Sequence, residues 1–194
     1  MIRVERLTGA ALVRALPDVA RLRIAVFRAY PYLYEGDPAF EERYLQVYRD
    51  SEDAILVGAY EGDRLIGAAT GTPMEDHADD FGAAFAGTGI ALERIFYCAE
   101  SVLLPEYRGR GIGHRFFDLR EAQARDLSRD HAAFCSVIRP KDHPARLQGY
   151  QPLDAFWRKR GYAPVEGAIA TFAWQEIDAA EESSHDLQVW MRAL

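Results

Sequence analysis

The sequence is poor in the residues that hold metals and build disulfide frameworks. Its 194 residues include two cysteines and five histidines. Cys98 and Cys135 each lie in an apolar run, and no zinc-ligand spacing is present, so we expect neither a zinc site nor a disulfide framework. The acidic segment Glu75–Asp80 has a single histidine, with no second one at ligand spacing. This pattern is typical of a solvated loop or a helix start, and we expect no bound metal.

Long apolar runs and an excess of positive charge are also missing. No segment reaches the roughly 18 apolar residues of a membrane span, and Met1–Arg6 contains no apolar signal region. Acidic residues number 30 against 23 lysines and arginines, a net charge of −7, which disfavours a nucleic-acid partner. We therefore expect a cytoplasmic protein with no membrane or nucleic-acid partner. Residues 1–194 are expected to form one domain, and the choice between monomer and homodimer stays open.

A glycine-rich segment between a predicted strand and a predicted helix is the most informative part of the chain. The apolar, β-branched run Glu93–Leu104 predicts a strand. Residues 114–127 place apolar side chains on one face at helical spacing. Glycines let the backbone approach a ligand closely, and the free amides and positive dipole at a helix start bind phosphate. Two arginines add positive charge, which argues against a turn that binds nothing. The segment reads Arg108-Gly109-Arg110-Gly111-Ile112-Gly113.

The spacing of these glycines separates the loop from two other phosphate-binding loops. A nucleoside-triphosphate loop would continue with Gly-Lys-Ser/Thr, and a dinucleotide loop would read Gly-x-Gly-x-x-Gly. The segment instead resembles motif A of the GNAT superfamily of acetyl-CoA-dependent N-acyltransferases, Arg/Gln-x-x-Gly-x-Gly/Ala. The lead-in Val102–Gly109 is similar to the family's strand-Pro-x-x-Arg-Gly approach, and Phe156–Tyr162 resembles its motif B.

The resemblance implies a fold and a cofactor. The expected fold is α/β, with a mixed, mostly antiparallel central sheet, a splayed parallel strand pair and helices on both faces. Acetyl-CoA would be the cofactor, and its diphosphate would lie on the amides of Arg108–Gly113. Its pantetheine arm would lie between the splayed strands, against main-chain atoms of Val102, Leu103 and Leu104, as an added strand would.

The resemblance also implies an acceptor site beneath the loop at residues 30–38. Tyr32, Tyr34 and Glu35 are therefore candidate acceptor contacts. The alternative is that the tyrosines only pack the loop against the rest of the protein.

Transfer of an acyl group to an amine requires a group that takes the amine proton. Glu100 is the first candidate, because it interrupts an apolar strand where burial would raise its pKa. Tyr97 and Glu93 are alternates. The competing interpretation of Glu100 is a structural carboxylate paired with a nearby arginine.

The group that protonates the leaving thiolate is where the chain departs from the family. Many members have a tyrosine four residues before the motif-B glycine, here Gly161, but this chain has Trp157. An indole cannot transfer a proton at neutral pH. Tyr150, another hydroxyl or a water would have to replace it.

Two functions are consistent with these features. The first is an N-acetyltransferase that moves an acetyl group from acetyl-CoA to the amine of a small molecule or peptide by direct attack. The second is a non-catalytic acyl-CoA sensor or regulatory protein on the same fold, which the missing tyrosine keeps open. The acceptor and the acyl length do not follow from the sequence.

Other elements are predicted from hydrophobic periodicity and turn residues. Pro17 is expected at the border of two helical segments, Ala10–Leu16 and Asp18–Tyr30. A second helix is expected to run unbroken from Pro38 to Tyr48. Residues 178–186 are expected to be a polar loop before a last strand or helical turn. The remaining expectations are strands at Ile2–Leu7, Ala132–Ile138 and Ala168–Ile177, a hairpin at Ala54–Thr70, and short helices at Leu153–Arg160 and at Phe81–Phe85, the latter ended by Gly87.

Overall fold

The computed structural model describes residues 1–86 and 88–194, so the expected helix stop at Gly87 lies outside the described residues. Within these residues eight strands form one sheet. The strands are β1 (Ile2–Leu7), β2 (Ile55–Glu61), β3 (Arg64–Pro73), β4 (Ile95–Tyr97), β5 (Ser101–Leu103), β6 (His131–Val137), β7 (Ala163–Gln175) and β8 (Glu182–Ala193). The helices are α1 (Gly9–Phe27), α2 (Pro38–Tyr44), α3 (Gln46–Asp50), α4 (Ala78–Phe85), α5 (Ile112–Asp126) and α6 (Asp154–Lys159).

The sheet is antiparallel except at its centre. Its strand order is β1-β2-β3-β4-β6-β8-β7, with β5 also paired to β3. Strand β4 runs parallel to β6, and helix α5 makes the crossover between them. Helices α1 and α3 cover one face and α5 covers the other. The predicted fold class, a mixed and mostly antiparallel sheet with one splayed parallel pair and helices on both faces, is confirmed. Among the described residues, no helix is both long enough and apolar enough to cross a membrane.

The parallel pair separates after three residues because the chain bulges. Ala99 N–H donates to the Thr70 carbonyl (3.1 Å), and Thr70 N–H donates to the Glu100 carbonyl (3.1 Å). Two residues therefore face one residue of β3, which is the geometry of a β-bulge and bends the strand. The predicted continuous strand Glu93–Leu104 is wrong on this account: β4 ends at Tyr97, and β5, which begins at Ser101, pairs with β3 alone within the described residues.

A buried arginine on α5 stabilises this bulge. Arg120 is fully buried, and its Nη1 donates to the carbonyls of Thr70 (3.1 Å) and Glu100 (3.2 Å). Its Nη2 donates to Ser101 Oγ (2.9 Å). A bulge distorts the regular ladder of backbone hydrogen bonds, and a charged donor satisfies buried carbonyl groups with strong hydrogen bonds. The helix that follows the glycine-rich loop thus holds the bend in the strand that precedes it.

Two helix predictions are wrong. Helix α1 continues through Pro17, because the apolar stripe of Leu12, Leu16 and Val19 is buried along its whole length and outweighs one missing backbone hydrogen bond. The helix expected from Pro38 to Tyr48 is split at Leu45, which is buried and connects α2 to α3.

The predicted polar loop at 178–186 is wrong from Glu182 onward, where β8 begins. Residues 182–186 pair with β7 alone, whereas Leu187–Ala193 also pair with β6. The first half of β8 is therefore an exposed strand with polar side chains, and its composition resembles that of a loop. The second half shows that the last segment is a strand and not a helical turn.

Candidate active site

The glycine-rich loop presents a row of backbone amides at the start of α5. Gly109 and Gly111 have φ values of +76° and +78°, the left-handed region that glycine adopts without strain. No amide of residues 109–113 donates to a backbone acceptor among the described residues. A Cβ built on Gly109 or Gly111 meets nothing within 4 Å, so the space beside these two glycines is open. Open amides at a helix N-terminus suit a phosphate group.

The two arginines of the loop increase its positive charge. Arg110 Nη2 donates to the Glu106 carbonyl (3.0 Å), and its guanidinium lies 5.2 Å from the centroid of the Tyr107 ring. Arg108 is exposed at the end of the preceding turn. The first turn of α5 contains no acidic residue. The charges here favour an anion, and the diphosphate site expected at this loop stays a prediction.

The edge of β5 that faces β6 is unpaired within the described residues, and its free amides can be identified. Hydrogen bonds alternate along an antiparallel strand. Leu104 N–H donates to the Ile66 carbonyl (3.0 Å), and the Glu100 carbonyl accepts from β3. The backbone N–H and C=O groups of Val102, which lies midway between these two residues, therefore also point to β3. The amides of Ser101 and Leu103 therefore point into the gap. Of the three residues expected to contact pantetheine through main-chain atoms, Leu103 presents its amide to the gap, whereas the Leu104 amide is already bonded.

On the other face of the sheet, a cavity of about 110 Å³ lies where β4 and β6 diverge. Its walls come from α1, the connection between α1 and α2, α2 itself, β4, the bulge, β6, β7 and β8. The lining residues are Arg23, Phe27, Tyr32, Tyr34, Phe40, Tyr44, Tyr97, Ala99, Glu100, Cys135, Phe172, Ala173, Trp174 and Leu187.

The gap connects the loop side of the sheet to this cavity. Successive side chains of a strand point to opposite faces. On β6, the Phe134 ring packs 5.7 Å from Phe117 of α5, while its neighbour Cys135 lines the cavity. A molecule held by the loop and a molecule in the cavity would therefore approach each other from opposite faces, through the gap.

Glu100 is buried in the cavity wall, and each of its carboxylate oxygens has at least one donor. Its Oε1 accepts from Thr70 Oγ1 (2.7 Å), and its Oε2 accepts from the Tyr44 hydroxyl (3.0 Å) and pairs with Arg23 Nη1 (2.9 Å). Arg23 Nε also donates to Glu41 Oε2 (2.6 Å). The ion pair that the sequence left as an alternative is thus present. Because Oε1 accepts a single bond, it keeps room for another donor, and the role of Glu100 as a base stays a prediction.

Arg23, Glu41 and Glu100 form a buried charged triad, and its environment shifts the pKa values of Arg23 and Glu41. Burial opposes the charge of Arg23, but Glu100, Tyr44 and Glu41 outweigh it and hold the arginine pKa well above its usual value. Burial raises the pKa of Glu41, which Arg23 only partly offsets. Arg23 therefore stays charged between two carboxyl groups.

Two phenols in the cavity wall have no hydrogen-bond partner among the described residues, those of Tyr32 and Tyr97. Burial raises the pKa of Tyr32 to about 12 and raises that of Tyr97 well above its usual value. Both hydroxyls are therefore neutral near pH 7 and can donate or accept a hydrogen bond.

Several predicted site residues lie outside the cavity. Glu35 pairs with Arg28 (3.3 Å) on the surface, and Glu93 is exposed in the turn before β4. The Tyr150 ring packs edge-on against Tyr30, with 4.8 Å between centroids.

Trp157, at the position where the family often has tyrosine, packs against Phe134 (4.9 Å) and Trp190 (5.1 Å). Its indole is part of the hydrophobic cluster that includes α5 and β6.

Cavity residues that the sequence did not reveal include Arg23, Phe40, Tyr44, Phe172 and Trp174. The clearest available signal was Arg23, a charged residue within the apolar stripe of α1. The others read as ordinary packing residues until the fold brings them together. In the part of the chain that the structure describes, no group of three or more His, Cys, Asp or Glu side chains could hold a metal ion.

Several solved structures of N-acetyltransferases have a similar fold. The chain matches the PaiA N-acetyltransferase of Thermoplasma acidophilum in complex with coenzyme A over 100% of its own length and 99% of that chain, at 12% identity and a TM-score of 0.59. The ribosomal-protein-alanine N-acetyltransferase of Brucella melitensis matches with the same coverage, 14% identity and a TM-score of 0.59. An N-acetyltransferase of Staphylococcus aureus covers 98% of both chains, at 9% identity and a TM-score of 0.61. These identities show the fold alone.

The family membership of the chain follows from a comparison of its sequence with family models. No curated protein sequence matches the chain. The sequence model of the Acetyltransferase (GNAT) family, however, matches residues 16–162. This range includes the glycine-rich loop, both diverging strands and motif B. The protein belongs to the GNAT acetyltransferase family.

Proposed function

We propose that the protein transfers an acetyl group from acetyl-CoA to the amine of a small molecule by direct attack. The observation that carries this proposal is that two sets of backbone groups are unpaired among the described residues. The first set, the amides of residues 109–113, suits a diphosphate, and the second, the edge of β5 that faces β6, suits a ligand that contains a chain of amide groups. Family membership supports the same chemistry.

The residues of this chain fit acetyl-CoA at both edges. The amides of Gly109–Gly113, with Arg108 and Arg110 beside them, would hold the diphosphate. The main-chain groups of Ser101 and Leu103 would hold the pantetheine arm. When bound, acetyl-CoA supplies the activated acetyl group.

Two residues of the cavity would then accept the proton of the amine and donate a proton or hydrogen bond to the leaving sulfur. The acceptor enters as an ammonium and must lose a proton before its nitrogen can attack. We assign this proton to Glu100, whose Oε1 retains a free acceptor position. The departing sulfur needs a proton or a hydrogen bond, and the unpartnered, neutral phenol of Tyr97 lines the cavity and can donate it. Tyr150 does not line the cavity, so Tyr97 is the better candidate.

Release of free thiol from acetyl-CoA across a panel of primary amines tests the proposal. Turnover that requires both the protein and an amine supports it. Tight binding of acetyl-CoA in a calorimeter, with no turnover on any amine, would support the non-catalytic sensor instead. Absence of binding would remove both.

A matched pair of variants tests the role of Glu100. Glu100 and Glu41 are both buried and both pair with Arg23, but only Glu100 lines the cavity. We expect Glu100→Gln to lower kcat by about 100-fold or more, as for the loss of a general base. Glu41→Gln should change kcat only a few-fold, and neither variant should alter acetyl-CoA binding. Equal losses of kcat would show that Glu100 acts through the ion pair alone.

A further inference from the structure

The cavity beside the gap has walls made of aromatic rings. Phe27 and Tyr32 lie 4.3 Å apart between centroids, and Tyr32 lies 5.9 Å from Trp174. Phe40 stacks on Tyr44 at 6.3 Å. Ring faces carry negative quadrupole charge, so a cation gains from lying against them, and an apolar group gains from leaving water.

The charged side chains that line the cavity are Arg23 and Glu100, as far as the described residues go. The Nε of Arg23 binds Glu41, its Nη1 binds Glu100, and its guanidinium lies 3.9 Å from the centroid of the Tyr44 ring. Its Nη2 has no partner among the described residues, but the two carboxylates already balance the arginine charge, so Arg23 offers no net positive charge to a carboxylate on a substrate. When both carboxyl groups are ionised, Glu100, Glu41 and Arg23 together carry one net negative charge, and of the two carboxylates Glu100 lines the cavity while Glu41 lies outside its lining.

We propose that the acceptor is a primary monoamine with a compact apolar body and no carboxylate near the amine. This inference rests on the proposed function and names its substrate class. The ammonium group is attracted by the negative triad and the ring faces. A carboxylate next to it would enter the same cavity beside Glu100, where the one guanidinium of the lining is already balanced by carboxylates, which is unfavourable.

The volume of the cavity and the residues that line it from β7 and β8 limit the part of the acceptor beyond its amine. A dry cavity of roughly 150 Å³ holds benzene, so about 110 Å³ admits a branched chain of a few carbons or part of one ring. Phe172, Trp174 and Leu187 carry no negative charge, so a second ammonium there would gain only the weak attraction of the ring faces. A linear diamine would therefore leave its second cation without a carboxylate partner.

Three amines that differ in one feature test this assignment. 3-Methylbutylamine has the apolar body alone, leucine adds a carboxylate to the same body, and 1,5-diaminopentane replaces the body with a second cation. We expect kcat/KM for 3-methylbutylamine to exceed that for leucine and that for the diamine by roughly 100-fold or more. Faster turnover of leucine or of the diamine would overturn the inference and leave the proposed function intact. No turnover on any amine would overturn the proposed function.

A cavity variant shows whether the selectivity comes from this cavity. Cys135 lines it from β6 with its side chain on the cavity face, so Cys135→Leu can narrow the cavity. We expect this variant to raise KM for 3-methylbutylamine at least tenfold and to leave KM for acetyl-CoA unchanged. Ala180→Leu, an exposed change outside the cavity, is the control. Equal KM values in both variants would place the acceptor elsewhere.

Discussion

Replacing Gly111 with alanine separates ligand binding from backbone strain. Gly111 has φ of +78° and Gly62, in the β2–β3 hairpin, has φ of +60°; an added Cβ meets nothing within 4 Å at either position. Alanine in this conformation costs about 1–2 kcal/mol, and each kcal/mol lowers Tm by about 2–4 °C in a chain of this size. Gly111→Ala and Gly62→Ala should therefore lower Tm by about the same amount.

Coenzyme A binding should respond to Gly111→Ala alone. A hydrogen bond to a charged group contributes about 1.5–3 kcal/mol, so disturbing one amide–phosphate contact should raise Kd by roughly 10- to 150-fold. Calorimetric titration with coenzyme A measures this difference, and Gly62→Ala should keep the Kd of the unaltered protein. If the two variants bound coenzyme A equally well, the loop would not be the diphosphate site.

Three further predictions concern the hydroxyls of Thr72 and Thr70, the imidazole of His185 and the phenol of Tyr97. Thr72 Oγ1 is buried without a partner among the described residues, so Thr72→Val should raise stability by about 1 kcal/mol in denaturant titration. Thr70 lies two residues away, and its hydroxyl binds the buried carboxylate of the site, so Thr70→Val should lower stability; a loss from both changes would contradict this assignment. Burial, and next the Arg139 guanidinium, lower the pKa of His185 below 6.5. The folded protein therefore binds this proton less readily than the unfolded chain, and stability falls as pH drops below about 6.5. His185→Asn should reduce the dependence of Tm on pH between about pH 7 and pH 5, and an unchanged slope would exclude His185 as a source of that dependence. Tyr97→Phe should lower kcat without changing the affinity for acetyl-CoA, and an unchanged kcat would remove Tyr97 from the mechanism.

The loop and the fold class could be predicted because their signals are local. Glycines at fixed spacing between a strand and a helix form an ordered pattern within a few residues. The bulge that opens the gap could not be predicted, because it depends on Arg120, a donor 20 residues further along the chain. The continuation of α1 through Pro17 likewise depends on burial against the sheet.

The cavity was predictable only in part. Tyr32 and Tyr34, which the family resemblance implied as acceptor contacts, line the cavity, and so does Glu100, which was selected for its apolar surroundings; their roles stay predictions. The partners of Glu100 could not be found in this way, because Arg23 lies 77 positions earlier in the numbering. Trp174 comes from β7, near the other end of the chain. Side chains that meet only after folding leave no pattern of spacing in the sequence.

A crystal structure of the protein with coenzyme A bound tests the central claim most directly. We expect diphosphate oxygens within about 2.7–3.2 Å of the amide nitrogens of residues 109–113, and a pantetheine arm paired with Ser101 and Leu103. Coenzyme A bound away from these amides, or a gap closed by regular pairing of β5 with β6, would contradict the account.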